Sequence, residues 1–350
     1  MYQAQLKLLK RISLSSANRF VIYKSHAFVC ELYGSAREIH ILDLTEPSDP
    51  KHVRSIRFKN AIGSLAIQEN KLYATESRRA LHEFDLTEIS NPKFLESFIL
   101  LGYDLYDLQI SSDQAILAMN WEGVGIVDLK KPDSIQPLQR QKIDEGYVEK
   151  LVPFGDHFLL SNNSEFLYTF STLEGRLKEV EKRSFPDFKP SKIFLNGEEI
   201  VLYGETKKGK KEFSSLLLLD KDLQAIGDPI SIRHRPVNCL PLSDGNILCC
   251  FDYSYAYVDR KEKKILPLFE LFEKRESKEY VEIPSKVLKR SSESDDGGEE
   301  EEYDSRRNEL YCFDSLKSVS KKGNFLFATH GSDFLSFSIS EDSMFQKILE

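Results

Sequence analysis

The stretch Ile39-His40-Ile41-Leu42-Asp43-Leu44-Thr45-Glu46-Pro47-Ser48-Asp49-Pro50-Lys51-His52-Val53 constrains the fold more than any other part of the chain, because it recurs. With Asp43 as its anchor, a second copy runs Leu81-His82-Glu83-Phe84-Asp85-Leu86-Thr87-Glu88-Ile89-Ser90-Asn91-Pro92-Lys93-Phe94-Leu95. A third begins Val124-Gly125-Ile126-Val127-Asp128-Leu129, and weaker copies put Ser171, Asp220, Asp259 and Ser338 in the anchor's place. A period of roughly 40–45 residues marks a repeat architecture in which no single unit can bury its own faces.

Every repeat follows one grammar. A short apolar run such as Ser64-Leu65-Ala66-Ile67 is followed by a polar turn, Gln68-Glu69-Asn70, and a second run, Lys71-Leu72-Tyr73-Ala74. The anchor segment is third, and an alternating polar segment such as Val53-Arg54-Ser55-Ile56-Arg57-Phe58 is fourth. Runs of four to eight apolar or β-branched residues bounded by turn residues read as hairpin strands. Four strands per period and seven anchors predict an all-β, seven-bladed β-propeller of four-stranded antiparallel blades. The spacing predicts a single domain over residues 1–350, interrupted between blades six and seven by an acidic, disordered insertion at 271–308. Two segments could close the ring, Leu6 to Ile12 and Met344 to Leu349; the N-terminal one is expected to complete the last blade, because an open edge invites foreign pairing.

The turn itself carries a resemblance. Gly123-Val124-Gly125-Ile126-Val127-Asp128, Asp43-Leu44-Thr45-Glu46-Pro47-Ser48-Asp49-Pro50 and Asp85-Leu86-Thr87-Glu88-Ile89-Ser90-Asn91-Pro92 resemble the repeats of the LVIVD-repeat family of β-propellers. The resemblance covers about residues 20–145 and fades where Ser171 and Ser338 replace Asp. It implies a propeller of the type found among bacterial surface or exported proteins. The Gly-His and Trp-Asp pairs of WD-repeat propellers are missing, since the single tryptophan, Trp121, precedes Glu122.

Composition narrows function mostly by exclusion. The formal net charge is −8, and residues 293–304 contain eight acidic side chains and no Lys or Arg, so the rest of the chain is neutral overall. Nucleic-acid binding, which needs a basic footprint, is not expected. The beginning of the sequence has no apolar core and cleavage site of a signal peptide, and no stretch is long and apolar enough to span a bilayer. The reading is therefore cytoplasmic, without membrane, and monomeric. Cys30, Cys239, Cys249, Cys250 and Cys312 form no C-x-x-C pair, and none of the histidines falls at metal-binding spacing, so reduced structural thiols and no metal or cofactor are expected.

The anchor aspartates read as turn formers, accepting N–H bonds two residues on. His40 and His82 stand at equivalent places in successive repeats and read as packing within a blade. No nucleophile elbow or phosphate loop is present, so no catalytic residue is expected. Loops between second and third strands share one face with the blade-to-blade connectors. That face collects Arg78, Arg79, Tyr103, Trp121 and Tyr147, residue types enriched where proteins bind one another. Gly204 to Lys211 reads as a basic loop on the same face, and Leu266 to Arg275 as a short helix opening the insertion. Ser292, with Asp295 three residues on, reads as a possible phosphorylation site. The leading expectation is a non-enzymatic scaffold with a protein partner. The alternatives are an enzyme working in the axial funnel, with Asp104, Asp107, Glu149 and Lys150 as candidates, and a cell-surface binding protein.

Overall fold

A computed structural model describes residues 6–339 apart from 15–16, 31–36, 131–138, 144–145, 149, 162–165, 174–175, 197–198, 210, 233, 243–245, 252–253, 260–263, 266–268, 271–315 and 331–332. The first strand, β1 (Leu6–Ser13), belongs to the last blade. Blade one is β2 (Arg19–Tyr23), β3 (His26–Cys30), β4 (Glu38–Asp43) and β5 (Lys51–Arg57). Blade two is β6 (Ile62–Gln68), β7 (Lys71–Glu76), β8 (Ala80–Asp85) and β9 (Lys93–Ile99), and blade three is β10 (Asp107–Ser111), β11 (Gln114–Ala118), β12 (Val124–Asp128) and β13 (Gln139–Gln141). Blade four is β14 (Val152–Phe154), β15 (His157–Ser161), β16 (Phe166–Leu173) and β17 (Arg176–Ser184). Blade five is β18 (Phe188–Asn196), β19 (Glu199–Lys208), β20 (Lys211–Leu219) and β21 (Ile230–Ser231). Blade six is β22 (Asn238–Pro241), β23 (Ile247–Cys250), β24 (Ser254–Asp259), β25 (Lys264–Ile265) and β26 (Phe269–Glu270). Blade seven is β27 (Leu316–Lys322), β28 (Phe325–His330), β29 (Asp333–Ile339) and, outermost, β1.

The ring closes as the edge argument requires. β1 pairs antiparallel with β29 from Leu6 opposite Ile339 to Ser13 opposite Asp333, and Ser13 Oγ donates to Asp333 Oδ1 at 2.8 Å. The alternative C-terminal segment lies outside the described residues.

Inner strands are buried on both faces and therefore read as continuous apolar runs, whereas the outermost strands show one face to water. Ile39, His40, Ile41 and Leu42 of β4 are all buried, while most of β5 is exposed. Alternate residues of one strand serve different interfaces: Phe28 and Cys30 of β3 pack toward blade two, and Ala27 and Val29 toward blade seven. Seven apolar clusters result, one at each junction of neighbouring blades. The closing junction stacks Phe327 on Phe334 at 5.9 Å and sets Phe20 edge-on to Phe334 at 5.4 Å. The four described cysteines, Cys30, Cys239, Cys249 and Cys250, are free and buried, and burial pushes the Cys239 and Cys250 thiols far above their ordinary range.

Two local expectations need correction. Gly204 to Lys211 is not a loop: β19 and β20 stay paired out to Lys208 opposite Lys211, with Gly209 at φ 63° in the turn. Thr206 opposite Phe213 continues the ladder, so this hairpin is an arm rather than a tip. Within Leu266 to Arg275 the described residues, Phe269 and Glu270, form a strand and not a helix, pairing with Tyr255 and Ser254; the others lie outside the described residues. β25 and β26 thus share the outer edge of β24 as two short pieces.

Candidate binding face and axial cavity

The anchor aspartates cap turns, and their geometry repeats. Asp43 Oδ1 accepts the Thr45 amide at 2.8 Å and its hydroxyl at 2.6 Å; Asp85 Oδ1 accepts the Thr87 amide at 2.8 Å and its hydroxyl at 2.7 Å. Asp128 Oδ1 accepts Lys130 N at 2.9 Å, and Asp220 Oδ1 accepts both Asp222 N and Gln224 N at 2.9 Å. The Thr45 donors hold the Asp43 carboxyl below its ordinary range, and Thr87 does the same for Asp85. His40 and His82 likewise play matching parts: each places Nδ1 2.8 Å from a fourth-strand serine hydroxyl, Ser55 and Ser97. A fifteen-residue offset joins each pair, a regularity present in the sequence but visible as a bond only once third and fourth strands are set in register.

On the opposite face the turns clasp the connectors. Arg78 sits in the turn between β7 and β8 at φ 57°; its amide donates to Tyr103 O at 3.0 Å, and its carbonyl accepts Gly102 N at 3.3 Å. Its guanidinium reaches Asp104 with Nε 2.8 Å from Oδ1. Asp104 is therefore an exposed ion-pair partner on this face, and does not line the axial funnel where sequence reasoning had put it. Arg79 turns inward, with Nε 3.3 Å from Glu76 Oε2. Glu76 is buried, and its Oε1 accepts Lys59 N at 2.9 Å and Asn60 N at 2.8 Å while Oε2 lies 2.8 Å from His82 Nε2. Of the two arginines, Arg78 is thus a surface group, while Arg79, itself partly exposed, braces the buried Glu76.

The equivalent turn of blade three makes the equivalent clasp. Asn120 and Val148 exchange two backbone hydrogen bonds, each 3.1 Å. Gly123 is required here: φ is +86°, and an added Cβ would lie 2.2 Å from Gln141 O. Held between them, Trp121 is 64% exposed and packs on Tyr147 with ring centroids 5.4 Å apart. Glu122 is paired with Arg140. Leu101, in the connector after blade two, is 62% exposed on this face; sequence reasoning overlooked it, although a leucine pair, Leu100-Leu101, directly after a strand is a recognisable signal. Ser292 and the acidic run lie outside the described residues.

Tyr147 also lines a cavity of about 370 Å³ on the ring axis. Asp107, at the start of β10, reaches into it with both carboxylate oxygens engaged. Oδ1 accepts Ser64 Oγ of blade two at 2.9 Å, Oδ2 accepts Leu151 N at 2.9 Å, and Arg19 of blade one stands 3.5 Å away and also donates to Tyr106 O. Asp107 joins four blades instead of standing ready as a base. Lys150 lies in the same cavity, its ammonium 5.6 Å over the Phe194 ring. Lys150 is open to the cavity, yet the protein packed around its ammonium disfavours the charge and holds its pKa below the ordinary lysine value, with Asp107 opposing and Arg19 adding to the shift. Glu149 lies outside the described residues. Among the described residues no group of three His, Cys, Asp or Glu side chains converges as a metal site, and no helix is long and apolar enough to cross a membrane.

No protein-family model matches the chain, and no curated protein does. Solved structures do. The chain is similar to the WD40 beta-propeller domain of Doa1, at 9% identity and TM-score 0.60 over 97% of this chain and 98% of that one. It is similar also to the beta-propeller domain of Cps50 (Swd1) from Myceliophteria thermophila, at 10% identity and TM-score 0.64 over 96% and 100%. At such identity the likeness establishes the propeller fold alone.

Proposed function

We propose that this chain is a non-enzymatic propeller scaffold that holds a protein partner on the face built by Arg78, Trp121, Tyr147 and Leu101. The observation that carries the reading is Trp121: a large aromatic, mostly exposed, fixed by a clasped turn and backed by Tyr147. A rigid aromatic anchor loses little conformational entropy on binding, the property that makes tryptophan and tyrosine common at interaction hot spots. The charges around it are mutually satisfied, Arg78 with Asp104 and Glu122 with Arg140. The partner's decisive group is accordingly apolar, a side chain laid against the Trp121–Tyr147 pair and flanked by polar contacts.

The funnel-enzyme alternative is disfavoured by Asp107, whose oxygens are committed to blade-to-blade bonds. The likeness to LVIVD-type repeats rests on Gly123 to Asp128 of blade three and the Asp-Leu-Thr turns of blades one and two, and it extends no specific activity to this chain. Affinity purification from cells, comparing the wild-type chain with Trp121→Ala, tests the scaffold reading. Loss of a specific partner, with circular dichroism unchanged, is expected; an identical set of captured proteins overturns it. Cell fractionation and sedimentation of the same material test the cytoplasmic and monomeric expectations.

A further inference from the structure

Blade six places two thiols against each other. Cys239 of β22 stands directly opposite Cys249 of β23, and their Sγ atoms lie 3.6 Å apart. Both are buried in the apolar cluster at the junction with blade five, among Phe194, Val201 and Phe251. Cys250 is next in the chain but on the other face of the strand, in the cluster shared with blade seven. Cys30 belongs to the junction of blades one and two. Cys239 and Cys249 are thus the two thiols that one strand pairing brings together.

The arrangement is close to that of a disulfide. Residues opposite each other in an antiparallel pair have Cα atoms about 4.5–5.5 Å apart, inside the range of about 4.4–6.8 Å that a disulfide spans. Rotation of the two side chains brings the sulfurs to a bonding distance of about 2 Å without moving a strand. Asn238 fixes the backbone on which this depends: its Oδ1 accepts Cys239 N at 2.9 Å, and its Nδ2 donates to Val319 O of blade seven at 2.7 Å. The resting pair is protected. Burial, and then the Cys249 thiol itself, hold the Cys239 thiol far above its ordinary range, so little thiolate is present to react. An approach exists all the same: Asn238, beside Cys239 in the chain, and Phe194, in the same cluster, both line the axial cavity.

We propose that Cys239 and Cys249 are an oxidisable pair, closed by a peroxide into a disulfide that staples β22 to β23 and reopened by a thiol reductant. One thiol loses its proton and its sulfur attacks a peroxide oxygen. The O–O bond breaks, the hydroxide released takes up that proton as water, and a sulfenic acid remains. The second sulfur attacks the first, the S–O bond breaks, and the hydroxyl leaves with the second thiol's proton as water. Two thiols and one hydrogen peroxide thus give one disulfide and two waters, the sulfurs losing the two electrons that the peroxide gains. The staple suits this blade. Its outer edge is made of two short pieces, β25 and β26, and Pro241 at the end of β22 has no N–H to give the ladder. The site is separate from the loop-face reading and stands without it.

The test maps the thiols of the folded, full-length chain after millimolar hydrogen peroxide. Remaining thiols are blocked in denaturant, and the unreduced digest is read by mass spectrometry. A peptide pair joined through Cys239 and Cys249 is expected, with two of the five thiols lost and both regained in dithiothreitol. Cys239→Ala should abolish the link and Cys250→Ala should leave it. Oxidised wild type should melt about 3 °C higher than reduced, a difference absent from Cys239→Ala. If Cys239→Ala does not fold, the mapped link in wild type and its reversal by reductant decide the matter. Retention of all five thiols in the folded chain, at a dose that oxidises them in denaturant, overturns the proposal and leaves a buried pair that only packs. A link that joins other cysteines, or one that forms without raising the melting temperature, overturns it as well.

Discussion

The two faces of this propeller are held together in different ways. On the anchor side each turn is capped by its own residues, Asp43 to Thr45, Asp85 to Thr87, Asp128 to Lys130, and ties to the next blade are added outside the caps, Lys10 to Asp49, Ser336 to Pro47 and Arg54 to Asn91. On the opposite side the bonds join distant segments, Asp107 to Ser64 and Leu151, Arg78 to Asp104, Asn120 to Val148. Local bonds form as soon as a hairpin forms, and they report on one blade. Long-range bonds exist only when neighbouring blades are seated, and so they report on the ring. Perturbing the two sides should therefore differ in both size and reach.

The largest effect is expected at Glu76. It is buried and accepts from two backbone amides, with His82 and Arg79 against its second oxygen. Glu76→Ala leaves those donors without an acceptor, and a loss of about 3–5 kcal/mol is expected from breaking a buried charged network. Denaturant unfolding measures it. A loss below about 1 kcal/mol would mean that water replaces the carboxylate and that the pin is dispensable.

Asp107→Ala comes next, at about 3 kcal/mol, because the carboxylate borders the cavity and water can reach part of what it leaves. Its reach is the sharper observation: hydrogen exchange should rise in blades one, two and four together, since Arg19, Ser64 and Leu151 all lose a partner. Exchange confined to blade three would make the bonds incidental to ring closure. Trp121→Ala lies at the other extreme of the same face. It should cost stability about 1 kcal/mol or less while removing the proposed partner, which separates the supporting bonds from the presented surface.

The same local-versus-distant division explains what could be read in the sequence. Period, turn and strand type are local properties, so seven blades, the Asp turns and the placing of Trp121 opposite them followed from residue patterns. Which strand closes the ring followed from the edge argument. The axial cavity was only half visible: Asp107 and Lys150 were singled out, but Arg19, Lys192 and Lys317, which also line it, were not. Ser64, Asp107, Lys150 and Lys317 each stand 21 residues before their blade's anchor, and longer stretches before the anchors of blades one and five hide that spacing for Arg19 and Lys192. Asp104 was misplaced because three residues before a strand decide between an axial wall and an outer connector, and the sequence does not mark where the connector turns in. The basic segment of blade five was misread because solvent-exposed lysines look alike in a loop and in the outer reach of a paired hairpin.

On the anchor side the effects should be small and confined. Asp43→Ala removes two hydrogen bonds in a solvated turn, and a loss under about 1 kcal/mol is expected. Exchange should rise only between β4 and β5. The Asp43 carboxyl is held below its ordinary range, so its contribution is present above the unfolded value and fades as pH falls through the folded one. An unfolding titration of wild type against Asp43→Ala should therefore converge in acid. Disturbance reaching blade seven would mean that the ties of this turn to its neighbour, Ser336 to Pro47 and Lys10 to Asp49, depend on the Asp43 cap.

The smallest effect is a pH dependence from His40. Burial lowers its pKa; Glu38, with Oε2 3.9 Å from Nε2, pulls upward, and His52, its ring 5.6 Å away, pushes downward. The Ser55 hydroxyl lies 2.8 Å from Nδ1, so the neutral ring has a partner within its own blade. A histidine with a lowered folded pKa favours its neutral form on folding. Its contribution is thus complete above the unfolded value of about 6.5 and is lost as pH drops toward and through the folded value. Between pH 7.5 and 5.5 the wild-type chain should lose slightly more stability than His40→Gln. The difference between the two curves isolates this residue from the other groups that titrate there. A steeper decline in the variant would reverse the sign and place the charged imidazolium, paired with Glu38, in the folded blade.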